Sequence, residues 1–169
     1  MTQGYLSAEQ LKSEPGYPPR ERLLKGPCAV LECVQEIPCN PCEAACPRGA
    51  IQVGLPITNK PRLDADKCIG CGLCIPACPG LAIFVVDLNF SEQQALVSFP
   101  YEYLPVPEVG QTVPAVDRAG VVRCDGTVVR VSNPPRNDRT VVVSVAVPKE
   151  LAEEIRGIKV ERGHSGNGR

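Results

Sequence analysis

The sequence contains no tryptophan and few other aromatic residues, only three phenylalanines and four tyrosines among 169 residues. A surface that stacks nucleic-acid bases needs aromatic side chains, so this composition argues against such a surface. The charge is almost balanced, with 18 lysines and arginines against 19 aspartates and glutamates. A chain without a basic excess lacks the electrostatic attraction that nucleic-acid binding requires. We therefore expect no nucleic-acid partner.

Signals for membranes and export are also missing. No apolar run reaches the roughly 18 residues that mark a membrane-spanning helix. The segment from Met1 to Leu6 has no basic region followed by an apolar core, so the sequence predicts no signal peptide. We expect a cytoplasmic protein with no membrane partner.

Catalytic motifs are absent as well. The sequence has no glycine-rich phosphate loop, no nucleotide fingerprint and no Ser/His/Asp arrangement. The single histidine, His164, lies in a polar, glycine-rich tail (161–169) that we expect to be disordered, which makes it a poor candidate for a ligand or an acid–base group. The sequence therefore offers no substrate site of its own.

Cysteine, in contrast, is abundant. Nine of the ten cysteines lie between residues 28 and 78. In a chain without an export signal such clustering indicates metal ligands rather than disulfides. The most regular group consists of four cysteines and a proline: Cys68, Cys71, Cys74, Cys78 and Pro79. Zinc sites usually use separated Cys-x2-Cys pairs, whereas three ligands within seven residues favour an iron–sulfur cluster, with zinc as the alternative.

A second copy of this pattern appears when the sequence is shifted by 32 positions. The shift places Cys39 on Cys71, Cys42 on Cys74, Cys46 on Cys78, and Pro47 on Pro79. Each copy predicts a cysteine loop, a turn and then a strand, over residues 50–53 in the first copy and 81–88 in the second. Two such halves facing each other would enclose two clusters.

The first copy lacks one regular ligand. Glu36 occupies the position that corresponds to Cys68, and glutamate is a poor ligand for cluster iron. Cys33 lies three residues earlier and could reach the vacant position through a longer loop. Cys28 could also reach it, but through a still longer loop, so we prefer Cys33 as the fourth ligand. In a third alternative neither cysteine binds, which leaves a three-cysteine site and a three-iron cluster.

Residues 28–90 resemble the bacterial-type ferredoxins with two clusters, through the motifs Cys39-x2-Cys42-x3-Cys46-Pro47 and Cys68 to Pro79. The resemblance implies a ferredoxin-like fold, two [4Fe–4S] clusters and low-potential one-electron transfer. It also implies that the last cysteine of each motif binds the cluster of the other motif. The expected ligands of cluster one are Cys46, Cys68, Cys71 and Cys74. The expected ligands of cluster two are Cys33, Cys39, Cys42 and Cys78.

The segment from Glu32 to Pro47 is similar to the small iron–sulfur subunits of flavin-containing amine, proline or hydroxyproline dehydrogenase complexes. This resemblance implies that partner flavin subunits oxidise the substrate, while this chain is non-catalytic and relays electrons. It does not identify the substrate. A free-standing ferredoxin-like shuttle and a structural or redox-sensing iron–sulfur module are the alternatives.

The whole chain is predicted to be α+β, with a ferredoxin-like dicluster domain followed by a small antiparallel β-barrel or curled sheet and a C-terminal helix. The expected parts are an N-terminal arm (1–27), the dicluster domain (28–90), the β domain with its helix (91–160) and the tail (161–169). The arm either covers the protein's own surface or docks on a partner protein.

Two local patterns in the β domain predict turns and a helix. The pair Asp125-Gly126 between valine-rich segments predicts a hairpin. Cys124, beside that pair, is expected to be a small buried side chain. Pro148 is expected to open a helix that ends at Gly157, and its inner face would carry Leu151, Ala152 and Ile155.

Overall fold

A computed structural model describes residues 4–160, and the predicted disordered tail (161–169) lies outside that range. The helices of the described range are α1 Ala8–Lys12, α2 Arg20–Leu23, α3 Pro41–Ala44 and α4 Cys74–Ala77. The strands are β1 Cys28–Leu31, β2 Ile51–Gln52, β3 Arg62–Leu63, β4 Ile83–Asp87, β5 Gln94–Tyr101, β6 Thr112–Val116, β7 Val122–Ser132, β8 Val141–Pro148 and β9 Gly157–Ile158. Short 3-10 turns cover Pro135–Asn137 and Lys149–Leu151. No helix in residues 4–160 has the length and apolar character needed to cross a bilayer.

Seven of the strands form one antiparallel sheet in the order β1-β4-β5-β8-β7-β6-β9, and β2 and β3 form a separate pair. The large sheet is open, since β1 and β9 lie at its two edges. Of the two predicted alternatives, a closed barrel is therefore wrong. The valine-rich strands bury a continuous apolar face, which includes Val97, Phe99, Val143 and Val145. β4, which follows the second cysteine motif, pairs directly with β5 of this sheet.

The hairpin predicted at Asp125-Gly126 is wrong. Both residues lie inside β7, which runs without a turn from Val122 to Ser132. A Cβ atom on Gly126 would lie 2.4 Å from Val145 Cγ1 and 3.1 Å from Ala146 O, so the glycine permits close contact with β8. The turn between β6 and β7 lies earlier, where Asp117 Oδ1 accepts hydrogen bonds from the amides of Ala119 and Val121.

The predicted C-terminal helix is also wrong. Pro148 is the last residue of β8, and only the 3-10 turn Lys149–Leu151 follows it. Ala152 and Ile155 are fully buried as expected, but they lie in an irregular segment and not in a helix. Gly157 begins β9 and pairs with Val116 of β6, so pairing at the sheet edge replaces helix continuation.

The 32-residue repeat is visible in the backbone. β1 pairs with β4 and β2 pairs with β3, and the two registers agree after the shift: Leu31 faces Ile83, and Leu63 faces Ile51. Each pair joins a strand that precedes one cysteine motif to a strand that follows the other motif. The halves are therefore interleaved, and the end of each motif lies beside the start of the other.

Residues 4–27 lie over the protein's own surface. The amide of Leu31 donates to Gly16 O at 3.0 Å, and the amide of Leu63 donates to Pro15 O at 3.0 Å. The segment thus bonds to both halves of the repeat at equivalent positions. Leu11 and Leu23 are buried in the main core. The capping box predicted at Ser7 and Gln10 is confirmed at the start of α1.

A buried ion cluster joins the first cysteine region to the later strands. Glu32 accepts hydrogen bonds from Arg118 Nε at 2.8 Å and from Arg156 Nε at 2.6 Å. Burial alone would raise the pKa of Glu32, but the hydrogen bonds and charges of the two arginines lower it below its ordinary value. Arg156 also lies over the ring of Phe84, with its guanidinium carbon 5.0 Å from the ring centre.

Candidate metal centre

Four cysteines surround a first cavity, and we call this group site one. Site one consists of Cys46, Cys68, Cys71 and Cys74. Its other walls include Ala29, Ile51 and Val85 from the strands, together with Arg48. Cys46 comes from the first motif and the other three come from the second, so the structure brings together the set that the ferredoxin resemblance implies for cluster one.

Four other cysteines surround a second cavity, and we call this group site two. Site two consists of Cys33, Cys39, Cys42 and Cys78. Its walls also include Ile37, Asn59, Pro61 and Ile83, and none of its lining residues is charged. Glu36 is exposed and does not line the cavity. The two cavities are equally small, with a volume of about 20 Å³ each.

Cys28, the alternative ligand for the irregular motif, lies elsewhere. It is fully buried in β1, in the main core, and it lines neither cavity, although its thiol neighbours Cys68. Cys33, rather than Cys28, lines the cavity of site two. The insertion that displaces the ligand from position 36 to position 33 is accommodated by the irregular segment after β1, which carries Cys33 and ends at Cys39 before α3.

The two cysteine loops are built in the same way. Cys42 lies in α3 and Cys74 lies in α4, at equivalent positions of the repeat. After each motif the backbone turns through a left-handed residue, Gly49 with φ +60° in the first half and Leu81 with φ +52° in the second. This turn directs an amide to the last cysteine of each motif, and a leucine that adopts it indicates that the geometry is required.

Backbone amides donate to three of the cysteine sulfurs. The amide of Ala50 lies 3.2 Å from Cys46 Sγ, and the amide of Ala82 lies 3.5 Å from Cys78 Sγ. These two bonds are related by the repeat. The amide of Ala29 donates to Cys68 Sγ at 3.4 Å. Such bonds stabilise thiolate sulfur and are expected around iron–sulfur ligands.

Gly70 allows the loop of site one to pass close to another segment. Its φ is +64°, and an added Cβ would lie 2.5 Å from both Cβ and O of Pro27. Gly72 follows with φ +77°. Left-handed conformations of this kind favour glycine because side chains are strained there.

The cysteines of the two sites have unequal pKa values. The neighbouring thiol of Cys28 and the amides of Ala29 and Gly70 lower the pKa of Cys68 to about 5. Burial raises the pKa of Cys42 to about 11 and that of Cys74 to about 12. Buried thiols of this kind ionise when a bound cation supplies the missing positive charge.

Arg22 is a further feature of site one, and the cysteine spacing gives no sign of it. Its guanidinium donates to the carbonyls of Ala65, Gly26, Pro27 and Cys68, at 2.8, 3.1, 3.3 and 2.5 Å. No carboxylate among residues 4–160 forms an ion pair with it. Arg22 thus holds the segment before β1 against the cysteine loop and adds an uncompensated positive charge there.

Lys67 and Cys124 line neither cavity. Lys67, which directly precedes the second motif, forms an ion pair with Asp64 at 2.8 Å. Cys124 in β7 is only partly buried. His164 lies outside the described residues.

The donor arrangement suits a polynuclear cluster. Among residues 4–160, no three side chains of His, Cys, Asp or Glu form a group that could hold a single metal ion. The eight cysteines instead border two cavities in sets of four. Four thiolates around a space, with amides directed at the sulfurs, fit the four irons of a [4Fe–4S] cluster.

Two groups of four cysteines, with backbone amides directed at the sulfurs, are typical of the iron–sulfur sites found in ferredoxins. Residues 61–84 match the family described as a 4Fe-4S binding domain, which supports at least one [4Fe–4S] cluster. That match covers Cys68, Cys71, Cys74 and Cys78 and leaves the first motif outside it.

Curated relatives share parts of the chain. It is 36% identical over 61 residues to the ferredoxin-type protein NapF of Haemophilus influenzae, which covers 35% of each chain. It is 38% identical over 81 residues to a probable iron-sulfur subunit of the Frd operon of Proteus vulgaris, covering 44% of this chain and 45% of the relative. It is 29% identical over 104 residues to the protein Pixie of Drosophila melanogaster, covering 56% of this chain and 16% of the relative. The chain therefore spans less than half the length of each of these relatives, and no solved structure is significantly similar to it.

Proposed function

We propose that this chain relays single electrons through two [4Fe–4S] clusters, as the iron–sulfur subunit of a multi-subunit flavin-dependent dehydrogenase. The observation that carries the proposal is the presence of two four-cysteine cavities of matching construction, related by the 32-residue repeat. Cys46, Cys68, Cys71 and Cys74 would hold the first cluster. Cys33, Cys39, Cys42 and Cys78 would hold the second.

The interleaved ligands support direct exchange between the two sites. Cys42 lines site two and Cys46 lines site one, although they are only four positions apart in the sequence. Even a fully extended chain of that length spans no more than about 14 Å. A [4Fe–4S] cluster, when bound, accepts and donates one electron at a time. The chain's own contribution is to fix two such groups side by side and to shield them from water.

Two observations support assembly with flavin subunits. One is the surface of the chain, and the other is the resemblance of the segment from Glu32 to Pro47 to the small iron–sulfur subunits of such complexes. Ile37, Leu55 and Ile57 are exposed near site two, and Leu55 is 88% exposed. The carbonyl of Ile57 accepts a hydrogen bond from the amide of Cys39, which ties this apolar surface to a proposed ligand. The similarity to the Frd operon protein, which is described as an iron–sulfur subunit, favours a complex too. Exposed apolar side chains beside a redox site are typical of a surface that another protein covers.

The deciding experiment is anaerobic purification of the complex at native expression level, with metal analysis, flavin analysis and EPR of the reduced sample. We expect about eight irons per chain, since two cubanes carry four each, and co-purification of flavin-containing subunits with an amine-oxidising activity. Zinc without iron would refute the iron–sulfur assignment. Iron near four per chain would mean one cubane, and a chain that purifies alone yet reduces several acceptors would be a free shuttle.

A further inference from the structure

A polar cleft of about 130 Å³ lies between the loop of site one and the face of the large sheet. One wall is the segment from Gly70 to Leu73 with α4, and it includes Cys71. The opposite wall comes from β5, β7, β8 and the 3-10 turn after β7, and its polar residues are Ser98, Arg130, Ser132, Arg136, Asn137 and Ser144. The cleft is separate from the cavity that the four cysteines of site one enclose, but it shares the Gly70–Gly72 loop with that cavity.

The cleft carries positive charge without a matching carboxylate. Arg130 and Arg136 are both exposed, and neither forms an ion pair within the described residues 4–160. No aspartate or glutamate lines the cleft. The buried hydroxyls of Ser98 and Ser144 bond to each other at 2.7 Å, so they satisfy one another and leave the arginines to set the charge. Two unpaired guanidinium groups at one opening attract carboxylates.

The cleft also adjoins the point where a proposed cluster ligand reaches the surface. Cys71 is exposed, whereas the other nine cysteines are buried or partly buried. The neighbouring Ile69 is 55% exposed. Arg48, on another side of the same cavity, is exposed too. Site two differs in both respects, because none of its cysteines is exposed and no charged residue lines it.

We propose that the Arg130–Arg136 cleft receives the carboxylates of an acidic segment on a redox protein that exchanges electrons with this chain beside Cys71. The proposal rests on the proposed electron-transfer function. The exchange moves one electron and breaks or forms no bond: the chain is oxidised by one electron while the partner's redox group is reduced by one. Complementary charge steers such encounters and orients the two redox groups.

Binding of an acidic probe tests the chemistry of the cleft independently of electron transfer. The probe is a fluorescein-labelled hexaglutamate peptide, and fluorescence anisotropy measures its dissociation constant for the cluster-containing protein at low ionic strength. We expect the double variant Arg130→Gln/Arg136→Gln to bind roughly tenfold more weakly. The matched control is Lys149→Gln/Lys159→Gln, which removes the same charge. Lys149 follows the far end of β8, and Lys159 lies beyond the edge strand β9.

Electron-transfer rates then locate the effect beside Cys71. Stopped-flow mixing of the reduced protein with ferricyanide, an anion, and with hexaammineruthenium(III), a cation, gives two rate constants for each variant. We expect the arginine variant to lower the ratio of the anion rate to the cation rate several-fold at low salt, and the difference to vanish near 0.5 M salt, where charges are screened. A change in driving force alone would shift both rates in the same direction.

The outcomes separate the two proposals. Equal hexaglutamate binding and equal rate ratios in the arginine and lysine variants would refute the acidic docking site and leave the electron-transfer function intact. Weaker binding with an unchanged rate ratio would also refute it, since the acidic segment would then bind away from the point of electron exchange. Protein that contains no iron after anaerobic purification would refute the electron-transfer function and this proposal with it.

Discussion

Site one and site two share a backbone plan but differ in their electrostatic surroundings. Both combine three cysteines of one motif with one cysteine of the other, and both have an amide bonded to the sulfur of the crossing cysteine. Arg48 lines site one, and Arg22 bonds to its loop. No charged residue lines site two. The repeat therefore supplies equal geometry, and residues that the two copies do not share make the two sites unequal.

This inequality has a consequence for electron flow. Positive charge stabilises the reduced form of a cluster, which carries one more negative charge than the oxidised form. We therefore expect site one to have the higher reduction potential. Electrons would then pass from site two to site one and leave beside the exposed Cys71, where the arginine cleft lies.

The largest expected effect concerns the crossing of ligands between the sites. The double variant Cys33→Ala/Cys78→Ser changes two residues of site two, so it should retain about four irons per chain. The double variant Cys33→Ala/Cys46→Ser changes one residue of each site, so it should retain almost none. Iron analysis after anaerobic purification distinguishes them. The reverse result would show that each motif binds its own cluster without crossing.

The next prediction tests whether Cys33 or Cys28 is the fourth ligand of site two. Cys33→Ala should lower the iron content from about eight toward about four per chain, because Cys33 lines site two. Cys28→Ala should keep all the iron, since Cys28 is buried in the main core and lines neither cavity. Iron analysis and EPR of the two variants, prepared in parallel, provide the measurement. Loss of a cluster in Cys28→Ala alone would contradict the placement of Cys33.

A smaller effect is expected from two glycines with similar backbone angles. An added Cβ on Gly70 would lie 2.5 Å from Pro27 O, whereas an added Cβ on Gly49 would meet nothing within 4 Å. Gly49→Ala should therefore cost only the strain of the left-handed conformation, about 1 kcal/mol. Gly70→Ala adds a steric clash and should cost about 3 kcal/mol.

Thermal unfolding of the iron-loaded protein measures both changes against the wild type. Because the clash lies in the loop of site one, Gly70→Ala should also lose iron from that site at lower temperature. Equal losses in the two alanine variants would show that the contact between Gly70 and Pro27 does not constrain the loop.

The sequence was sufficient to predict the repeat, because cysteines separated by fixed intervals must occupy equivalent positions if both copies bind the same kind of cluster. It also predicted the capping box and the antiparallel strands. It failed at Asp125-Gly126 and at Pro148 for one common reason. Turn and helix signals are local, whereas the contact of Gly126 with Val145 and the pairing of Gly157 with Val116 depend on distant strands.

Residues that act through tertiary contacts could not be predicted from the sequence patterns. Arg22 is 46 residues from Cys68, and the arginines of the cleft are still further from Cys71 in the chain. The arm illustrates the same limit, since its composition allowed two interpretations and gave no sign of the bonds that Pro15 and Gly16 make to both halves. Spacing predicts candidate ligands, but the charges that tune them come from the fold.

The smallest expected effect tests the inequality of the sites through Arg22. Arg22→Gln removes a positive charge beside Cys68 and should lower the reduction potential of site one by tens of millivolts, on the order expected for one charge at an effective dielectric constant of about 20. The reduction potential of site two should not change.

Arg22→Lys keeps the positive charge but cannot donate to all four carbonyls that the guanidinium reaches. It should therefore lower the melting temperature while largely preserving the reduction potential of site one. Arg20→Gln, on the same helix but paired with Glu153, is the matched control. Redox titration followed by EPR measures both potentials, and equal shifts at the two sites would contradict a local charge effect.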